Sequence, residues 1–133
     1  MRWPQRSEGL RLRAGMEMGY APETPTDAAV GLPGTGDTCG LAWDVVISAM
    51  DIAPDHHIGI NYARTGAGWL LAPQFRPNEE LREIRYMWEP ERLPLFEARI
   101  RQREDLEKLA GAIKKRSVFD LFVRLTWRFT IKD

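Results

Sequence analysis

Apolar residues take every second position over the C-terminal stretch: Phe119, Leu121, Val123, Leu125, Trp127, Phe129 and Ile131. Asp120, Phe122, Arg124, Thr126, Arg128, Thr130 and Lys132 stand between them. A repeat of two is the strand repeat, so this segment predicts a long strand with one buried apolar face and one basic, threonine-rich face. A second pattern lies upstream, where Phe96, Ile100, Leu106, Leu109, Ala110 and Ile113 follow Pro94 at helical intervals. Glu97 with Arg101 and Glu104 with Lys108 form pairs four apart, and Lys114, Lys115 and Arg116 would sit in the last turn against the negative end of the dipole. The expectation is one long amphipathic helix, with Pro94 in its first turn.

The remaining segments give weaker patterns. Leu41 to Ile52 fits both periods, and the β-branched trio Val45, Val46 and Ile47 favours a strand. Ile58, Ile60 and Tyr62 alternate with Gly59, Asn61 and Ala63, then Thr65-Gly66-Ala67-Gly68 precedes Trp69-Leu70-Leu71. Two short apolar runs about a glycine-bearing loop predict a β-hairpin. Asn78 can cap a helix starting at Glu79-Glu80, with Leu81, Ile84 and Trp88 on one face. The competing reading takes Ile84, Tyr86 and Trp88 as an alternating strand. The fold class expected is therefore α+β: a hairpin, one long amphipathic helix and a long C-terminal strand over residues 41–133.

The first forty residues differ in composition. They hold four Pro and seven Gly, against five Pro and four Gly in the following 93 residues. Ordering such a stretch is costly in backbone entropy, and few large side chains offset it. Residues 1–40 are expected to form an extended interaction arm or linker. At 133 residues, 44% of them hydrophobic, the remainder suffices for one domain.

Charge sharpens this division. Nineteen basic and nineteen acidic residues cancel. The zero nevertheless divides into −1 over residues 1–40, −4 over 41–98 and +5 over 99–133. Either the acidic middle neutralises the basic end within the fold, or the basic end meets a partner.

The candidate chemistry is sparse. Gly31 to Gly36 has the spacing of a phosphate-binding loop and Thr38 follows, but Asp37 stands where that loop needs lysine. Cys39 stands where a dinucleotide fingerprint needs its third glycine. Asp55-His56-His57, with Asp51 nearby, contains both histidines of the chain. Adjacent histidines in an extended chain point to opposite sides, so no convergent metal site is expected. Cys39 is the lone cysteine, which excludes an internal disulfide. No catalytic constellation stands out, and no enzyme activity, cofactor or metal is expected.

The functional expectation is a non-enzymatic structural or adaptor subunit of a larger protein assembly, as in a virion or secretion particle. Other subunits, in a homo- or hetero-oligomer, would dock on Trp3, Leu10 and Leu12 with Arg2, Arg6, Arg11 and Arg13, and on the C-terminal strand. The alternative is a small nucleic-acid-binding or nucleic-acid-competing protein using Arg124, Arg128, Lys132, Lys114, Lys115 and Arg116 as its basic face. The longest apolar run is four residues, Trp69 to Ala72, so no membrane span is expected of a helix. The N-terminal arginines lack the apolar core of a secretory signal. A cytoplasmic or within-particle location is expected rather than secretion through a signal peptide.

Overall fold

Every regular element is a β-strand in the computed structural model, which describes residues 9–26, 36–69, 76–109 and 111–127. In chain order the strands are β1 (Arg11–Thr26), β2 (Gly36–Ala53), β3 (His56–Thr65), β4 (Glu79–Trp88), β5 (Leu95–Asp105) and β6 (Ser117–Thr126). They form one six-stranded sheet in the order β1-β2-β3-β4-β5-β6, each strand antiparallel to the next. This is a meander with β1 and β6 at its edges.

The α+β expectation is thus overturned, and the long helix with it. Leu95–Asp105 is strand β5, paired with β4 from Trp88↔Phe96 to Glu79↔Asp105. Phe96 and Ile100 satisfy both periods, and the charged residues decide between them. Glu97, Arg99, Arg101 and Arg103 read as the wet side of a helix, yet at period two they share one sheet face with the carboxylates of β4. Leu106, Leu109 and Ile113, which completed the helical stripe, lie in the connection from β5 to β6, and Ile113 is almost fully exposed.

Glu79–Trp88 is likewise a strand and not the preferred capped helix. Asn78 does adopt a special conformation there, with φ of 61°. It caps no helix. Its side chain accepts a hydrogen bond from the Glu107 N–H and donates one to the Glu107 carbonyl, both at 2.8 Å, tying the β3–β4 connection to the β5–β6 connection. β3 pairs with β4, and of the second arm expected for the hairpin only Trp69 is described. Leu70 and Leu71 lie outside the described residues.

The strand expected within 41–52 is present as part of β2. Arg11–Thr26, inside the stretch expected to reach out as an arm, is edge strand β1 and pairs with β2 from Arg11↔Met50 to Thr26↔Gly36. Trp3, Arg2 and Arg6 lie outside the described residues, as do Arg128 and Lys132. The C-terminal strand was expected to bury its apolar face. Instead Phe119, Leu121, Val123 and Leu125 are all more than half exposed.

The connections differ at the two ends of the sheet. Residues 27–35, 66–78 and 106–116 join strands at one end, and only 54–55 and 89–94 at the other. At the short end Pro54-Asp55 turns β2 into β3, with Asp55 at φ 64° and the Asp55 carbonyl accepting from the Glu89 N–H at 2.9 Å. At the long end Gly40 has no room for a side chain, since a Cβ would stand 2.3 Å from the backbone of Gly68.

Candidate functional site

Alternation and register together sort the sheet into two unlike faces. On one, Ile47, Ile60, Ile84, Ile100 and Leu121 are successive cross-strand neighbours from β2 to β6. Leu12, Met16 and Met18 of β1 share this face, with Val45 and Ala49 of β2, Ile58 of β3, and Phe119, Val123 and Leu125 of β6. On the other face the row one residue along is Val46, Asn61, Glu83, Arg101 and Asp120.

Burial runs against chemistry. Glu83 is 6% exposed while its neighbour Ile84 is 49% exposed. Glu79, Glu97 and Asp105 are buried on the polar face, whereas Ile47, Ile60, Ile100 and Leu121 lie open on the apolar one. A sheet that packs a soluble core does the opposite, because carboxylates are almost never fully buried unless paired.

Here they are paired. Glu83 takes the Arg101 guanidinium at 2.6 Å and the Arg85 guanidinium at 2.9 Å, with Arg99 at 3.8 Å. Glu97 bridges Arg124 and Arg85. Glu79 takes Arg116 at 3.1 Å and Arg103 at 3.8 Å, and Arg116 also meets Asp105 at 3.0 Å. Arg99 and Arg124 further lie over the ring of Phe122, at 4.8 and 5.9 Å from its centre. Each carboxylate is therefore compensated, and the network links β4, β5 and β6 across their polar side.

The same face holds a carboxylate pair at its other side. Glu17 and Asp44 are cross-strand partners beside a cavity of about 160 Å³, lined also by Gly19, Ala42, Thr65 and Trp69. Burial and the nearby Glu17 charge push the Asp44 carboxyl up from its ordinary value, against a smaller lowering by a hydrogen bond from the Val45 backbone. Gly19 admits the Trp69 indole, which would lie 2.3 Å from a Cβ at that position.

The apolar face carries aromatic residues towards both ends. At the short-turn end His56 stacks on Trp88 with ring centres 5.7 Å apart and hydrogen-bonds the Tyr86 hydroxyl, while Tyr86 meets Phe96 edge-on. Towards the long-connection end Trp43 packs edge-on against Tyr62 at 5.0 Å. Between them the residues are aliphatic. The edge of the apolar zone also shifts from strand to strand. It reaches Leu41 on β2 and Tyr62 on β3, stops at Ile84 and Ile100 on β4 and β5, where Arg82 and Gln102 follow, and extends again on β6, where Phe119 stands opposite Gln102.

The residues singled out from sequence are scattered by the structure. Leu10 precedes β1, and Arg11, Leu12 and Arg13 begin it, with Arg11 reaching Asp51 at 3.0 Å. Arg116 and Arg124 belong to the carboxylate network. Lys114 is exposed, and Lys115 reaches the Leu106 carbonyl. The acidic middle thus neutralises Arg116 and Arg124 within the fold. His56 and His57 point to opposite faces as expected, the latter accepting a hydrogen bond from the Asp51 N–H at 3.3 Å. Among the described residues no group of His, Cys, Asp and Glu could hold a metal ion.

Glu83 and Asp105 are not singled out by the sequence, Glu79 and Glu97 enter it only as parts of expected helices, and the cross-strand pairing of these carboxylates with Arg85, Arg99, Arg101 and Arg103 is not anticipated. The signal was the run Glu97-Arg99-Arg101-Arg103-Asp105 at period two. No family model, no curated protein and no solved structure matches this chain.

Proposed function

We propose that this sheet is part of the wall of a transmembrane β-barrel pore, its apolar face against lipid and its polar face towards an aqueous lumen. The observation that carries the proposal is the inverted burial over β4 and β5, where open aliphatic residues are backed by an enclosed, ion-paired side. Among the described residues no helix is long and apolar enough to cross a membrane. Strands cross by a different rule, alternating lipid-facing and lumen-facing residues, with aromatic girdles at both interfaces.

Dimensions agree with this reading. Strands β3 to β6 run 10 or 11 residues. At a rise of ~3.4 Å and a tilt of ~40°, ten residues cover about 25 Å of bilayer, the height of the apolar band of such barrels. The short connections at one end and long ones at the other follow the asymmetry of outer-membrane barrels.

Cysteine scanning of β4 in a Cys39→Ser background tests the proposal, with a polarity-sensitive dye placed in turn at 83, 84, 85 and 86. In lipid vesicles the dye should report hydrocarbon at 84 and 86 and water at 83 and 85. Uniform wetness, or a lipid-free soluble oligomer that shields 84 and 86, would overturn it.

The edges favour a second reading, which keeps the assembly subunit. β1 and β6 each leave one row of backbone groups without a neighbouring strand in the described sheet. Open edges invite strand addition by a neighbouring subunit, through Leu12 and Arg13 of β1, with Leu10 just before it, and through the C-terminal strand. The two readings are compatible, because six strands fall short of the eight of the smallest such barrels. The nucleic-acid alternative gains no observation of this kind, since Arg128 and Lys132 of its basic face lie outside the described residues.

A further inference from the structure

The charges of the polar face lie in two layers. Next to the sheet are the carboxylates, with side chains of Glu79, Glu83, Glu97 and Asp105 between 1% and 9% exposed. Above them stand the guanidiniums: Arg101, Arg103 and Arg99 are 21%, 23% and 26% exposed, and Arg116, Arg85 and Arg124 37%, 49% and 56%. Water on this side of β4 to β6 therefore meets N–H donors far more than carboxylate oxygens. Asp120, exposed and cross-strand from Arg101, is an acid of the upper layer.

We infer that the β4–β6 side of this face is a track for small anions, so that the pore passes anionic solutes in preference to cations. The inference rests on the lumen reading above. Six guanidiniums stand over four sunken carboxylates, an excess of positive charge. Each guanidinium carries five N–H donors and stays charged at any ordinary pH. The carboxylates consume some donors and hold the side chains in place; Arg103 Nε is buried without a hydrogen-bond partner, and the exposed donors of the row face the water. Arg99, Arg101 and Arg103 follow at every second residue of β5, ~7 Å apart along the strand, so an anion leaving one meets the next. Rings and rows of Arg or Lys are the means by which pores favour anions, and low-dielectric walls focus their field. Glu17 and Asp44 form a separate acidic corner on β1 and β2, away from this row.

The test is the reversal potential of the protein in planar phosphatidylcholine bilayers under a KCl gradient, after vesicle experiments have shown it folded. Conductance that reverses towards the chloride potential supports the track, and inorganic tripolyphosphate should then block the current. Reversal at zero or towards the potassium potential overturns the track and leaves the pore standing. Absence of conductance from the folded, inserted protein overturns the pore reading and the track together.

Two variants separate the upper layer from the fold. Arg85→Gln with Arg124→Gln should move the reversal potential towards zero, but leaves Glu97 without partners and risks misfolding. Asp120→Asn disturbs no buried pair and should move reversal further towards chloride. If Asp120→Asn leaves reversal unchanged in a conducting protein, the charges of this face do not set selectivity.

Discussion

Glu83 and Ile84 are neighbours on one strand, and they meet opposite surroundings. The carboxylate lies under three guanidiniums on the enclosed side of the sheet, while the isoleucine sits in an open aliphatic row flanked by Ile60 and Ile100. A soluble sheet buries the isoleucine for its apolar area and leaves the carboxylate to water. Burying the charge instead demands specific partners at fixed distances, which makes the polar side the geometrically exacting one. The aliphatic side needs only an apolar medium. Lipid is such a medium, and it puts no demand on the shape of the row.

The largest effect should come from a charge in the aliphatic row. Ile84→Lys is expected to cost about 2–4 kcal/mol of folding stability in lipid vesicles, the range for a lysine at the midplane of a β-barrel wall. Val46→Lys, one row away on the polar side, should be tolerated. Urea titration of the vesicle-inserted protein measures both. Equal penalties would erase the difference between the faces.

Glu83 is the centre of the polar side. Glu83→Gln keeps the volume but leaves Arg85, Arg99 and Arg101 to repel one another, at a cost of about 1–3 kcal/mol, moderated because those guanidiniums are partly wet. A double-mutant cycle of Glu83→Gln with Arg101→Gln should give a coupling of about 1–3 kcal/mol. Near-zero coupling would mean that the network is a solvated surface. A smaller effect is expected at the rim, where Trp88→Leu retains apolar area and loses the stacking on His56, about 0.5–1.5 kcal/mol by the same titration.

The two faces were unequally legible in the sequence. The alternation at Phe119 to Ile131 announced a strand, and the β-branched trio at 45–47 another, because period two leaves no helical reading of the first and strand propensity tips the second. The β5 segment misled for a physical reason. Its charges sit on the enclosed side, so the usual equation of charged with wet turned a strand into the outer face of a helix. Glu79 misled likewise, since an acid suits a helix start as well as it suits a partner for Arg103 and Arg116. Which apolar face would stay open could not be read from alternation, which is identical for a buried and a lipid-facing row. The segment charges of −4 and +5 did foreshadow the network, since Glu79, Glu83 and Glu97 come from the acidic segment and Arg99, Arg101, Arg103, Arg116 and Arg124 from the basic one.

The smallest expected effect has the opposite sign and probes a carboxylate of the polar face that has no cationic partner among the described residues. Asp44 Oδ1 is buried with no hydrogen-bond partner, beside Glu17 at the cavity. Burial first and the Glu17 charge second raise its carboxyl above the ordinary 3.8. The folded state therefore holds this proton to higher pH than the unfolded chain does. Stability from this group is present at low pH, falls as pH rises through the ordinary carboxylate range, and is fully lost above the raised value. Asp44→Asn should remove that part of the pH slope and leave the protein as stable as the parent, or slightly more so, at neutral pH. Urea midpoints of parent and variant across acidic to neutral pH decide it. An unchanged slope, or a clear loss of stability in Asp44→Asn at neutral pH, would mean that the carboxylate has a compensating cation, and the polar face would then be ion-paired across all of its strands and not only over β4 to β6.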